Sequence, residues 1–178
     1  MVDEAAMLDV VQEKFGEGFQ IKEVSADDMV FEQRTILNCF YCGKYGTNWR
    51  CPPHLPDLEY ASMFKEYDHL AFLWVDMPYG EDDYDEVRSE SSTRLHRALL
   101  LLEKHLWEND CSTAVSFIGG SCKLCRNGCG KDRCHNPYMS RSPLEATGLN
   151  IVKTAQKNGI DIKFPPDGSI MRLGLIAW

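Results

Sequence analysis

Two short segments hold seven of the eight cysteines, and this grouping constrains the fold more than any other feature of the sequence. The first segment has the pattern Cys39-x2-Cys42-x8-Cys51, and the second has Cys122-x2-Cys125-x3-Cys129-x4-Cys134. A C-x2-C pair brings two thiolates within reach of one metal ion or cluster. We therefore expect two irregular loops that are shaped around bound metal.

The cysteines are not needed to compensate for a small core, because 44% of the 178 residues are hydrophobic. The acidic stretch over residues 1–7 lacks the basic and apolar regions of a secretory signal. No apolar run approaches the roughly 18 residues that span a bilayer. We predict a cytoplasmic protein without membrane contact, in which metal binding is favoured over four disulfides or a loose set of core thiols.

The net charge of -8 argues against nucleic acid as a partner and leaves a redox partner protein as the candidate. The second cysteine segment departs from this acidic average. Between Ser121 and Ser142, a single acid, Asp132, accompanies five basic residues: Lys123, Arg126, Lys131, Arg133 and Arg141. A cluster held by four thiolates is anionic, so this basic collar is where such a cluster is stabilised.

The second segment places four cysteines within thirteen residues, without an intervening histidine. This compact spacing is typical of a [4Fe-4S] cluster, whereas structural zinc more often uses two C-x2-C knuckles separated by a longer hairpin. The four candidate cluster ligands are Cys122, Cys125, Cys129 and Cys134. Zinc stays open as the alternative metal.

The first segment offers three thiolates, from Cys39, Cys42 and Cys51, to a second metal ion or cluster. Whether His54 is a fourth ligand or points to solvent is left open by the sequence. Cys111 lies outside both segments and is interpreted as a buried packing thiol, with a cluster ligand or a reactive thiol as the alternatives. His135, which follows the last cysteine, is a candidate for a position next to the metal.

Outside the cysteine segments, hydrophobic periodicity predicts alternating helices and strands in one layered α/β domain over residues 1–178. A continuous apolar run predicts a strand that is buried on both faces, and four leucines at helical spacing predict a strong helix after it: Leu95, Leu99, Leu102 and Leu106. The predicted helices cover residues 3–15, 57–67 and 142–158, the predicted strands cover 19–24, 69–77, 111–118 and 170–177, and the predicted loops cover 38–56 and 121–141.

The helix over residues 142–158 is expected to begin with Ser142 as N-cap, Pro143 in its first turn and Glu145 as a capping-box residue. Its N-terminus would then direct the positive end of a helix dipole at the second cysteine loop.

Three stretches of the chain resemble the predicted metal-binding family known as domain of unknown function 2284: residues 39–53, 120–134 and 141–148. The resemblance extends from the first cysteine segment to the C-terminus, and both cysteine motifs are present. It implies metal binding, with iron-sulfur chemistry favoured, and it does not imply a reaction.

Three functions are consistent with these residues. The first is an iron-sulfur protein that transfers electrons or assists a redox system. The second is an enzyme in which a three-cysteine cluster exposes one iron as a Lewis acid, surrounded by the polar residues of its own segment: Tyr41, Lys44, Tyr45, Asn48, Arg50 and His54. The third is a binding module in which zinc is purely structural.

Overall fold

The computed structural model describes residues 3–178, so the first two residues of the acidic N-terminal stretch lie outside it. The strands are β1 (Phe19–Glu23), β2 (Leu70–Pro78), β3 (Val115–Phe117) and β4 (Ser169–Ala177). They form one antiparallel sheet in the order β1-β2-β4-β3. The α-helices are α1 (Glu4–Phe15), α2 (Gln33–Tyr41), α3 (Tyr60–Phe64), α4 (Tyr84–Glu108) and α5 (Ile151–Lys157). The predicted α/β class is therefore confirmed.

The central strand β2 separates two hydrophobic cores, which explains its continuous apolar sequence. Ala71, Leu73 and Val75 enter the core that also contains residues of α1 and α4. The alternate residues Phe72 and Trp74 enter the core on the opposite face, with Phe64 of α3 and Ala155 of α5 among its members. Because side chains alternate along a strand, both faces are covered, as the sequence predicted.

Helix α4 carries the longest apolar stripe, and its four predicted core leucines are all fully buried: Leu95, Leu99, Leu102 and Leu106. At the N-terminus, Asp3 caps α1 by accepting a hydrogen bond from the Ala6 amide at 2.9 Å, and Gly16 ends that helix. Within residues 3–178, no helix combines the length and the apolar composition that are needed to cross a membrane.

The prediction of one helix over residues 142–158 was wrong. Residues Leu144–Thr147 form a short 3-10 helix, which ends at Gly148 with φ at +90°. The chain turns there, and α5 begins separately with Asn150 accepting a hydrogen bond from the Lys153 amide at 3.0 Å. Left-handed backbone at glycine ends helices, so the apolar spacing on either side belongs to two elements.

Three other elements also differ from prediction. The helix expected over residues 57–67 is the shorter α3, Tyr60–Phe64. The loop expected over residues 38–56 begins later, because α2 continues to Tyr41 and carries Cys39 in its last turns. Strand β3 begins at Val115 rather than at residue 111, because Cys111 starts a turn in which the Ala114 amide donates to its carbonyl at 3.1 Å.

The close packing of α4 on β4 predicts a large effect of Gly174→Ala. A Cβ atom at this position would lie 2.7 Å from Leu99 Cδ1 and 2.7 Å from the Phe117 carbonyl oxygen. Overpacking of this kind costs about 1–3 kcal/mol, which we expect to see as a lower midpoint of thermal unfolding. The matched control is Gly80→Ala, whose nearest neighbour would be Asp83 Oδ1 at 3.7 Å. Equal midpoints for the two variants would contradict this packing.

Candidate metal centre

The second cysteine segment is a loop whose two ends are fixed at the end of β3. The Ile118 amide donates to the Ser142 carbonyl at 3.0 Å, and the Leu144 amide donates to the Ile118 carbonyl at 2.8 Å. The loop therefore leaves the sheet and returns to it at one place. As predicted, it contains no regular helix or strand over residues 121–141.

Two buried side chains of α4 hold the returning end of this loop. His96 Nε2 donates a hydrogen bond to the Met139 carbonyl at 2.9 Å. Glu103, which is 1% exposed, pairs with the guanidinium of Arg141 and also accepts from the Ser116 amide at 2.7 Å. Because residues seven apart lie on the same side of a helix, His96 and Glu103 form one anchoring face.

The four cysteines of the second segment line one pocket of about 630 Å³. Asn136 Nδ2 donates to Cys125 Sγ at 3.1 Å, and Ser140 Oγ lies 3.4 Å from Cys134 Sγ. Burial raises the pKa of Cys122, while hydrogen bonds from the backbone amides of Leu124 and Arg141 act in the opposite direction. The pocket thus already presents hydrogen-bond donors to its sulfur atoms.

The predicted basic collar is only partly present. Lys123 and Arg126 line the pocket, and Lys44 of the first segment joins them there. Lys131 and Arg133 are exposed and do not line it. Arg141 is committed to its ion pair with Glu103, so its charge is compensated within the protein. The predicted contribution of a helix dipole was wrong, because only a four-residue 3-10 helix follows Pro143.

The first segment begins on a helix and ends in turns. Cys42 directly follows α2, and its amide donates to the Cys39 carbonyl at 3.1 Å. Burial raises the pKa of Cys51 to about 12, and the negative charges of Cys39 and Cys42 act in the same direction. The Gly46 amide donates to the Pro52 carbonyl at 2.9 Å, which folds the Cys51 end of the segment back beside its Cys42 end.

Within residues 3–178, no group of three or more His, Cys, Asp or Glu side chains is arranged to hold a single metal ion. Four thiolates on one zinc ion, with Zn–S bonds of about 2.3 Å, would lie roughly 4 Å from one another. The thiolates of a four-iron cluster each bind a different iron, so they stand farther apart. Within the described residues, no disulfide joins any of the eight cysteines, so all of their thiols are free.

Three consecutive residues of the first segment bind the second segment. Asn48 Nδ2 donates to the Cys122 carbonyl at 3.1 Å, and Trp49 Nε1 donates to the Gly130 carbonyl at 2.7 Å. Arg50 donates from Nε to Ser140 Oγ at 2.6 Å and from Nη2 to the Pro137 carbonyl at 2.9 Å. We call these contacts of residues 48–50 the seam.

The polar side chains of the first segment do not all surround its cysteines, as an exposed iron in that segment would require. Asn48 and Arg50 are directed to the second segment instead. Tyr41 is 81% exposed. The ring of His54 packs on Trp49 with centroids 4.6 Å apart. His54 is exposed, and whether it is a fourth ligand stays open.

The remaining candidates have packing contacts. Cys111 is partly buried against the core formed with α1 and α4, in keeping with a packing thiol. His135 lies against Gly130, where a Cβ atom would come within 2.4 Å of the His135 Nε2 atom. The glycine therefore makes room for the ring beside the last cysteine.

Glu145 is a site residue that the sequence did not reveal. Its carboxylate accepts from the Gly120 amide at 3.2 and 3.3 Å instead of capping a helix. Burial raises the pKa of Glu145, and its charge in turn contributes to the raised pKa values of Cys39 and Cys51. The capping pattern that the sequence shows at Ser142-Pro143-Leu144-Glu145 is not used to begin an α-helix. No local pattern connects Glu145 with the first cysteines.

A family model described as "Predicted metal-binding protein (DUF2284)" matches residues 22–177. No curated protein and no solved structure matches the chain.

The buried pair that anchors the second loop predicts a strong effect of Glu103→Gln. This change leaves the Arg141 guanidinium without its counter-charge, and breaking a buried pair costs about 3–5 kcal/mol. We expect a markedly lower unfolding midpoint. The control is Glu108→Gln on the same helix, where an exposed pair with Lys104 is lost and little change is expected. Similar midpoints for both variants would contradict the anchoring role.

His96, which holds the second loop through the Met139 carbonyl, predicts a dependence of stability on pH. Burial lowers the pKa of His96 below its ordinary value of 6.5. Below pH 6.5 the unfolded chain therefore binds more protons at this residue than the folded protein does, and stability is lost as the pH falls. Thermal unfolding between about pH 5 and pH 8 should show a shallower acid slope for His96→Gln, whose amide can still donate to the Met139 carbonyl. An unchanged slope would show that His96 does not contribute.

Proposed function

The chain belongs to the predicted metal-binding family whose model covers residues 22–177, and on that premise we propose that it is an iron-sulfur protein. In this proposal, Cys122, Cys125, Cys129 and Cys134 hold a [4Fe-4S] cluster. Cys39, Cys42 and Cys51 hold a second cluster or metal ion. The protein transfers electrons or assists a redox system.

The observation that carries the proposal is the common pocket of the four cysteines in the second segment. Thiolate is the donor that iron-sulfur clusters use, and four thiolates complete one cubane cluster. When bound, the cluster would supply a one-electron redox centre. Full ligation by cysteine suits electron transfer, because no iron is left for a substrate.

The residues around this pocket fit an anionic cluster in two ways. Hydrogen bonds to the sulfur atoms, of the kind that Asn136 gives to Cys125, stabilise the extra negative charge of the reduced state. The positive charges of Lys44, Lys123 and Arg126 act in the same direction. The chain thus favours reduction of a centre at this position.

The seam supports the proposal that the two sites work together. It joins them through the backbone of Cys122, and the charge of Cys122 contributes to the raised pKa of Cys51. Neighbouring redox centres provide a route for electrons through the protein. The net charge of -8 would attract a redox partner with a basic surface.

A second candidate function is an enzyme that uses an open iron at the three-cysteine site. The observation that favours it is Glu145, a carboxyl group on the 3-10 helix that packs against α2, which carries Cys39. A carboxyl group near an iron-bound substrate is placed to move a proton.

An enzyme with an open iron at the three-cysteine site is tested in Cys122→Ser. Cyanide or a small thiol should perturb the spectrum of the cluster that persists in this variant. An unaffected spectrum would count against the enzyme.

The main proposal is tested by metal analysis and visible spectroscopy of protein purified without oxygen. We expect a brown protein that dithionite bleaches, with about four iron and four sulfide ions for each cluster. Cys122→Ser should lose the iron of the second segment, and Cys39→Ser should lose that of the first. The matched control, Cys111→Ser, should keep the full iron content, because its thiol lies outside both segments.

Circular dichroism of each variant separates loss of the cluster from loss of the fold. A colourless wild-type protein with stoichiometric zinc would contradict the proposal and would favour the zinc-stabilised binding module.

A further inference from the structure

A second pocket of about 600 Å³ lies outside the pocket of the four cysteines. Its charged lining residues are Arg88 of α4, Arg172 of β4, Lys163 and Glu145, and Tyr84 of α4 lies with them. Volumes of this size are typical of sites for small molecules. None of the cysteines of the described chain lines it.

The position of the pocket follows from the sheet. β4 has nine residues, but only its last three pair with β3. The first part of β4, with Arg172, is therefore unpaired with β3 on this side. Gly119 lies so close to β4 that a Cβ atom there would be 2.4 Å from the Leu173 carbonyl oxygen. Gly119 thus lies directly against the edge of β4, and the pocket is next to this contact.

Arg172 is partly buried, yet it has only neutral partners. Its Nε donates to Ser91 Oγ at 3.3 Å, and its Nη2 donates to the Arg88 carbonyl at 3.4 Å. Both hydrogen bonds are long. Burying a charge without a counter-charge is costly, so the arrangement favours an anion at the guanidinium.

Neighbouring cations increase this preference. Among the ion pairs of the described chain, none involves Arg88, Arg172, Lys44 or Lys123. Burial and the positive charge of Arg88 lower the pKa of Arg172. The charges of Asp85 and Glu145 act on Lys123 and Arg172, but in the described chain neither carboxylate forms an ion pair with any of the four cations. Lys44 and Lys123 face the four-cysteine pocket, whereas Arg88 and Arg172 face this one.

Glu145 opposes an anion in this pocket, but its carboxylate is directed to the Gly120 amide and pairs with neither arginine. Three positive charges, from Arg88, Arg172 and the exposed Lys163, therefore line the pocket against one negative charge. The rest of the wall is mainly apolar, with Leu149, Ile162, Phe164 and Pro165 among its residues. The lining combines a cationic region with an apolar surface.

We infer that this pocket binds a small organic acid, whose anionic oxygen group pairs with Arg172 and Arg88 and whose apolar body contacts Ile162, Phe164 and Pro165. A planar carboxylate matches the paired N–H groups of a guanidinium. The site lies beside the first cysteine segment, because Thr35 and Asn38 of α2 line the pocket just before Cys39. The inference does not depend on which metal the cysteines bind.

Isothermal titration calorimetry of the full chain, purified without oxygen, tests this inference with benzoate, acetate and benzamide as probes. We expect benzoate to bind, acetate to bind more weakly because it lacks the apolar body, and neutral benzamide to bind at least about tenfold more weakly. Equal binding of benzoate and benzamide, or no binding of benzoate at millimolar concentration, would overturn the anion site. Equal binding of acetate and benzoate would overturn the apolar contact.

Variants then assign the binding to the two arginines. Arg172→Gln and the exposed Arg88→Gln should each weaken benzoate binding, by about tenfold for the loss of one hydrogen bond to a charged group. The matched control is Arg97→Gln, which removes an exposed arginine of the same helix that does not line the pocket. Because Arg88 is exposed, its variant keeps the test valid if Arg172→Gln fails to fold.

The iron content and visible spectrum of the variants separate this site from the metal centre. We expect both to be unchanged in Arg88→Gln. Loss of iron together with unchanged benzoate binding would assign the arginine to the cluster and would overturn the inference. Unchanged benzoate binding in both arginine variants would overturn it as well.

Discussion

The seam between the two cysteine segments is the contact on which the rest of the site depends. Four hydrogen bonds from residues 48–50 reach the backbone of the second segment and the hydroxyl of Ser140. Neither segment has enough regular structure to hold its own shape, and each is mostly loop. Because the seam fixes one to the other, the seven cysteines form one region of the molecule.

The seam is effective because the second segment is itself held on rigid elements. Ile118 closes the base of the loop, and α4 holds its returning end through His96 and Glu103. The same helix packs its fully buried leucines against the sheet, so the loop is supported by the hydrophobic core. A loop with few apolar residues thereby acquires a defined shape from its neighbours.

The sequence predicted those parts of the fold that depend on local patterns. The apolar run of β2 and the leucine spacing of α4 each report burial within one element, and both predictions were confirmed. The broken helix was missed because Gly148 acts through its backbone conformation, which no hydrophobic pattern records. The seam was missed because its partners lie 74 to 90 residues apart. Glu145 was misassigned because a capping pattern describes only nearby residues.

The proposed function requires iron coordinated by sulfur in the cysteine pocket. Mössbauer spectroscopy of protein produced with iron-57 and purified without oxygen detects such iron. We expect the signal of tetrahedral iron with sulfur ligands, with an isomer shift that increases on reduction, as in iron-sulfur clusters. Iron in an oxygen and nitrogen environment, or a sample without iron signal that carries stoichiometric zinc, would rule out the proposed centre.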